Sequence, residues 1–322
     1  MNKRILISVS VLAVLILYIV ITRVKWTSDV PDLPAWDGKA DEIVINRPGG
    51  TTVKIYKKDG KWVVNDEAYP ADERVITEID NQLKNLRLTD LISKKGFYNK
   101  FDLTPDKYSE VMVKKGDAIF RKFKFGKKSS TGQHTFIRVD DRPDIYLADG
   151  TFDLLLNKSV DDFRNKEILK IKRDSITGLI IDYKGNKFDL SKIAEKKAEE
   201  NTEDKTAKKE EKKAPAALQE KWVCKGFESV KLDKTRIESL CASLDPLRAS
   251  SFLNIPKESL TQNICTVQIK AEQKNFAFSI FKKDNKFIAA ASENPYVFVI
   301  ENWTAENFFI TGIDKLRAGG KE

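Results

Sequence analysis

His134 is the single histidine of the 322-residue chain, and it is the natural starting point for acid–base chemistry. It follows Ser129-Ser-Thr-Gly-Gln133, so a hydroxyl and a carboxylate close by would complete a Ser–His–Asp site. No G-x-S-x-G segment presents a nucleophile. The reading we take forward is a solvent-exposed turn histidine. Gly126-Lys-Lys-Ser129 has the ending of a phosphate-binding loop, but Arg121 stands where that motif needs its first glycine. Cys224, Cys241 and Cys265 include no C-x-x-C pair, and Cys241 lies on the apolar face of a predicted helix. They read as small buried hydrophobes, with one disulfide as the alternative. Paired carboxylates occur at Asp140-Asp141, Asp144 and Asp161-Asp162. A glycosidase needs two carboxyl groups at a set separation, whereas these stand where turns and helix caps favour aspartate. No catalytic, cofactor-binding or metal-ligating residue is assigned, and the chain is expected not to be an enzyme.

The basic residues offer a different chemistry. Lys and Arg number 57 against 48 Asp and Glu, for a formal charge of +9 and a pI near 9.1. Lys57, Lys58, Lys122, Lys124, Lys127 and Lys128 sit on predicted hairpins and are the candidate contacts for anionic lipid or an acidic partner. Phe120, Phe123 and Phe125 interleave with them, as in a nucleic-acid stacking surface. Strand alternation accounts for the pattern more simply: Phe123 and Phe125 inward, Lys122 and Lys124 outward. No nucleic-acid partner is expected.

The elements that would carry these residues begin with a membrane segment. Ile5 to Thr22 contains no charged residue, and at 1.5 Å per residue it spans roughly 27 Å, close to the hydrocarbon thickness. Lys3 and Arg4 precede it; Arg23, Lys25 and Trp26 follow, without the small-residue cleavage site of a signal peptide. We therefore predict an uncleaved single-pass anchor over 1–26. The charge bias is slight and favours a cytoplasmic N-terminus, with the body periplasmic or otherwise extracytoplasmic. Residues 27–40, with Pro31, Pro34 and Gly38, read as a spacer.

The body repeats itself. Over 41–170 the order is a strand at Ile43–Ile45, a hairpin around Asp59-Gly60, a helix capped by Asp72 with Val75, Ile76, Ile79, Leu83 and Leu86 on one face, two strand pairs, and a closing helix over 151–163. Over 171–318 the same order returns, with Lys221-Trp222-Val223 answering Lys61-Trp62-Val63 and a closing helix over 304–316. Where the first copy turns tightly at Asp59-Gly60, the second carries an insertion over about 191–219. Its core, residues 192–213, holds eight Lys against seven Asp or Glu, too polar to join a core. The fold class expected is α+β: an N-terminal transmembrane helix, then two tandem repeats of an antiparallel meander sheet with packed helices.

Gly60-Lys-Trp-Val63, Pro70-Ala-Asp72, Phe101-Asp-Leu-Thr-Pro105, Lys124-Phe-Gly126, Phe136-Ile-Arg-Val139 and Asp162-Phe-Arg164 occur in an order that resembles the bacterial domain-of-unknown-function family 4340, DUF4340. The resemblance covers roughly 41–175, and 176–317 as a weaker second copy. It implies an anchored envelope protein without an assigned activity or catalytic residues, often encoded beside ABC-2-type exporter subunits like those of gliding motility. The function expected is a non-enzymatic binding or scaffold protein of the inner membrane, working beside an ABC-type permease and ATPase. A structural envelope protein without a transporter, or an envelope glycan or lipid enzyme, are the alternatives.

Overall fold

The computed structural model describes residues 11–19, 30–34, 36, 39–196, 218–272 and 274–319. Of the predicted anchor, residues 11–19 are helical and exposed throughout, and the rest lies outside the described residues. Among the described residues no helix is long and apolar enough to cross a membrane. The architecture is mixed α+β, dominated by two antiparallel sheets of nine and eight strands. The chain divides into two compact units, residues 1–165 and 166–322.

In the first unit β1 (Glu42–Asn46) pairs with β2 (Thr52–Lys58), which turns through Asp59-Gly60 into β3 (Lys61–Val64), edged by β4 (Tyr69–Pro70). On its other side β1 pairs with β6 (Ser109–Lys115), and the sheet continues through β7 (Ala118–Lys128), β8 (His134–Val139) and β9 (Ile145–Asp149). β5 (Leu88–Ser93) closes the edge beside β9. The period-2 alternation sends Val111, Val113, Phe123, Phe125, Ile137 and Val139 to one face, all at most 1% exposed. Helix α1 (Glu73–Lys84) covers that core with Ile76, Ile79 and Leu83. The three-and-four spacing of these residues is what makes one apolar stripe. Asp72 caps α1 by accepting from the Arg74 N–H, as predicted; such a cap contributes about 1 kcal/mol.

The second unit repeats the strand order. β11 (Ile176–Tyr183), β12 (Asn186–Lys196) and β13 (Leu218–Cys224) stand as β1, β2 and β3 do. β16 (Cys265–Ala271), β17 (Lys274–Lys283), β18 (Lys286–Ala291) and β19 (Val297–Ile300) follow as β6 to β9 do, and β15 (Ser251–Leu253) takes the edge as β5 does. Helix α4 (Lys234–Ala242), capped by Asp233, buries Ile237, Leu240 and Cys241. A separate two-strand ladder joins β10 (Glu167–Leu169) to β14 (Leu247–Arg248).

Three expectations change. The closing helix over 151–163 is two short helices, α2 (Asp153–Leu156) and α3 (Val160–Phe163). Ser159 and Asp162 form a capping box that starts α3 afresh, so the chain cannot continue α2 through it. The closing helix over 304–316 is only α5 (Asn302–Glu306), with a 3₁₀ turn at Ile313–Leu316; Gly312, extended at φ −167°, separates them. The insertion is also shorter than the sequence suggests. β12 and β13 stay paired from Leu190↔Cys224 out to Lys196↔Leu218, because Lys192 and Ile193 find ladder partners in Trp222 and Lys221. The remainder of the charged run, 197–217, lies outside the described residues.

A deletion series separates the two boundaries. Removing 198–216 and joining the ends by a short Gly-Ser turn is expected to leave the melting temperature within about 2 °C of wild type. Removing 192–213 also takes ladder positions 192–196, and is expected to lower it by roughly 5 °C or more. Equal melting curves for the two deletions would contradict the extended hairpin.

The stretch predicted as a spacer makes contacts of its own. Leu33 and Trp36 pack against the first core, Trp36 stacks on Phe120 at 6.3 Å, and Arg121 donates to the Pro34 carbonyl at 3.1 Å. Lys84 of α1 lies 5.5 Å over the Trp36 ring. Leu33, Pro34 and Trp36 therefore form a strap held to the start of β7.

Candidate functional site

The groups that could have acted as acid, base or nucleophile have structural partners. His134 opens β8, half-buried rather than exposed in the turn, opposite Asp149 across the ladder. Ser129 does not face its ring: the Ser129 Oγ accepts from the His134 backbone N–H at 3.3 Å and meets the Thr131 hydroxyl at 3.0 Å. Asp149 accepts from Arg87, and that hydrogen bond holds its carboxyl below the usual range. Asp140 is engaged by Arg121, Asp161 by Arg164, Asp162 by Ser159 and Asp144 by the Tyr146 hydroxyl. Asp141 meets Lys122 at 3.3 Å and Lys124 at 3.6 Å, and the Lys122 hydrogen bond lowers its pKa first.

The six predicted lysines do not form one patch. Lys57 and Lys58 stand at one end of β2; Lys122 is on β7, with β1 and β6 between them and in register with Lys54; Lys127 and Lys128 are at the other end of β7. Lys124 is drawn to Glu110 and Asp141 and lies over the Tyr108 ring at 5.5 Å; Lys128 pairs with Asp153. Phe123 and Phe125 face inward as expected, each 1% exposed.

The three cysteines are buried and free, so the core reading holds and no disulfide forms. The Cys265 thiol donates to the Phe308 carbonyl at 3.6 Å. Burial pushes Cys241 up to about 11 and Cys265 up to about 12. A thiolate is the reactive form. Native protein is therefore expected to react with a disulfide reagent at pH 8 at least roughly 100-fold more slowly than denatured protein, in which all three thiols react. Rapid stoichiometric labelling of the native chain would contradict this burial.

One groove in the first unit brings charge and an aromatic face together. It lies between α1 and the β2–β3 hairpin, with a volume of about 460 Å³. Lys39, Lys57 and Lys84 line it with Glu73, Asp80 and Trp62. Its volume is within the roughly 300–1,000 Å³ of small-molecule sites. Lys84 pairs with one Asp80 oxygen at 2.9 Å, while the other is shielded from solvent with no hydrogen-bond partner among the described residues. The Lys57 ammonium lies 5.0 Å over the Trp62 ring. With both charge signs and an indole face, the groove is suited to holding polar segments of a partner or ligand. Sequence reasoning missed this pairing, although the signal was present: a two-residue turn at Asp59-Gly60 puts residues 57 and 62 directly opposite.

The same pair recurs in the second unit. Lys192 faces Trp222 across β12 and β13, its ammonium 5.7 Å over the ring. A Lys–Trp pair at the same ladder position in both units is the structural counterpart of the repeated Lys-Trp-Val string. The domain of unknown function DUF4340 matches residues 62–263, more than half of the chain. The chain belongs to the DUF4340 family. The matched span begins at Trp62 and runs through α4, so the DUF4340 region takes in both tryptophans and parts of both units. No curated protein and no solved structure matches this DUF4340 chain.

Proposed function

We propose that this DUF4340 protein is a non-enzymatic binding or scaffold subunit, anchored in the bacterial inner membrane by Ile5 to Thr22, with its body outside the cytoplasm. It serves an ABC-2-type export system. The observation that carries the reading is the strap: the apolar run is followed, after a short connecting segment, by Pro34 and Trp36, which are fastened to β7 by Arg121 and Phe120. A module held so close to its anchor has a high effective concentration for a partner in the same bilayer. The partnered state of Ser129 and of the paired aspartates supports binding rather than catalysis, and the edge strands β5 and β15 are surfaces that can receive a partner strand. The transporter assignment rests on the family resemblance alone.

The test is crosslinking in native membranes, solubilisation of the full-length chain and mass spectrometry of what it retains. Recovery of an ABC-type permease with its ATPase is the expected result. Recovery of cell-wall components alone would replace the transporter role with a structural one.

A further inference from the structure

The registers of the first sheet put a defined set of loops at one end. β1 starts at Glu42 opposite Tyr56 of β2 and Lys114 of β6. The strap arrives at this end, because it is fastened at Phe120 and Arg121, just past the β6–β7 turn. The β2–β3 turn follows Lys58↔Lys61, and the β6–β7 turn follows Lys115↔Ala118. Phe123↔Val139 and Ile137↔Tyr146 bring the β8–β9 loop to the same end, and Ser93↔Ile145 brings the exit of β5. Five separate segments of the first unit thus border the point where the chain comes from its N-terminal run.

The chemistry of this end is uneven. Its acids are largely occupied: Asp41 accepts from the Gly116 N–H, Asp144 from the Tyr146 hydroxyl, Glu42 pairs with Lys114, Asp140 with Arg121 and Asp141 with Lys122, leaving Asp32 beside the strap and Asp59 and Asp117 in the turns. Lys58, Lys61, Lys94, Lys95 and Lys115 are exposed there. Two large apolar side chains project among them: Phe97 is 74% exposed and Ile119 is 49% exposed. Phe97 does not merely trail into solvent. Tyr98 beside it donates to the Pro143 carbonyl at 3.0 Å and lies 4.2 Å from the Arg138 guanidinium, so the loop is pinned. Gly96 and Phe97 both take positive φ, +58° and +64°, which turns the ring outward. A bulky residue in that region is uncommon and marks a site where strain is retained for a reason.

We propose that this end of the first sheet rests on the anionic headgroup surface of the bilayer that holds the N-terminal run, with Phe97 and Ile119 entering the interface and the lysines meeting lipid phosphates. The inference deepens the anchored reading above and rests on it. The attachment point favours this end: Pro34 and Trp36 are fastened here, and the opposite end of the sheet is a further strand length away, roughly 20 Å. Aromatic tips and lysines are the residue types that interfaces accept, and each lysine near an anionic surface adds about fivefold to the docked population.

The test uses the full-length chain in lipid nanodiscs containing about a third phosphatidylglycerol, against discs of phosphatidylcholine alone. A polarity-sensitive fluorophore is placed on F97C, I119C or L154C; the native thiols are buried and do not compete. Leu154, 85% exposed, follows the opposite end of β9 and is the control. Labels at 97 and 119 are expected to shift to the blue and be quenched by a lipid-borne quencher in anionic discs, the label at 154 not. Lys94→Glu with Lys95→Glu is expected to cut quenching at 97 at least about fivefold. A chain retained in the disc whose labels at 97 and 119 read as water overturns this inference and leaves the anchor standing. A chain that does not stay with the disc overturns the anchor and this inference together. Labels shielded without lipid quenching would identify a second copy of the chain as the occupant, and overturn the lipid assignment.

Discussion

Replacing Gly126 with alanine is expected to lower the stability of the first unit by about 2–4 kcal/mol, a fall in Tm of roughly 5–15 °C. Gly126 lies in β7, where the register against β8 slips between Phe125 and Lys128. The 3₁₀ turn Tyr98–Phe101 and the buried Leu103 cross the strand there. A Cβ at position 126 would overlap the Phe101 carbonyl oxygen and come within 2.9 Å of the Leu103 Cγ. Backbone cannot step aside by changing rotamer, so either β7 or the 98–103 segment must move. That movement reaches the Tyr98–Pro143 bond and so the loop that carries Phe97. Gly312→Ala is the control, since a Cβ there has nothing within 4 Å and its backbone is ordinary extended chain. That variant is expected to stay within about 0.5 kcal/mol of wild type. Chemical denaturation of both variants decides the matter; equal midpoints would mean that the close approach at Gly126 carries no energy.

The two sheets were legible in the sequence wherever one face of a strand is buried. Ile43-Val-Ile45, Val111 to Val113 and Val267 to Ile269 alternate or run apolar because the core demands it, and the Asp59-Gly60 turn fixes the β2–β3 register. The cap at Asp72 was equally plain, since a carboxylate before an apolar stripe suits the free N–H groups there; Asp233 does the same for α4 and was not singled out. What escaped was the edge. Leu88–Ser93 reads Leu-Thr-Asp-Leu-Ile-Ser, only half-buried, and its pairing with β9 is irregular, so no clean period marks it. The short β10–β14 ladder escaped for the same reason. Among the candidate contacts, charge could be counted along the chain but ion pairing could not. Lys122 and Lys124 looked available until Asp141 and Glu110 were seen to engage them, while Lys94, Lys95 and Phe97 gained meaning only from the register that brings β5's exit beside the strap. Trp36 was a missed signal: an indole in a supposed spacer has much apolar area to bury, and it does so on Phe120.

Truncation of Phe308 to alanine is expected to cost the second unit about 3–5 kcal/mol, and Phe308→Leu less than about 1.5 kcal/mol. The ring is fully buried and meets Phe278 edge-on, 5.2 Å between centroids at 79°. It packs where the chain leaves α5, with Ala305 and Ile310 also buried in the same core. Because α5 is only five residues long, its hydrogen bonds alone cannot hold it in place. The Phe308 side chain is therefore a central tie between this closing segment and the sheet, beside Phe309, which stacks on Tyr183 at 4.5 Å. Cys265 reports on that tie independently of unfolding, since its thiol donates to the Phe308 backbone carbonyl, which alanine retains. Local loosening in Phe308→Ala should raise Cys265 labelling by roughly tenfold or more under native conditions, and leucine should largely restore protection. A variant with unchanged stability and an unreactive Cys265 would mean that α5 is held by other contacts and that the ring fills space the core can close without it.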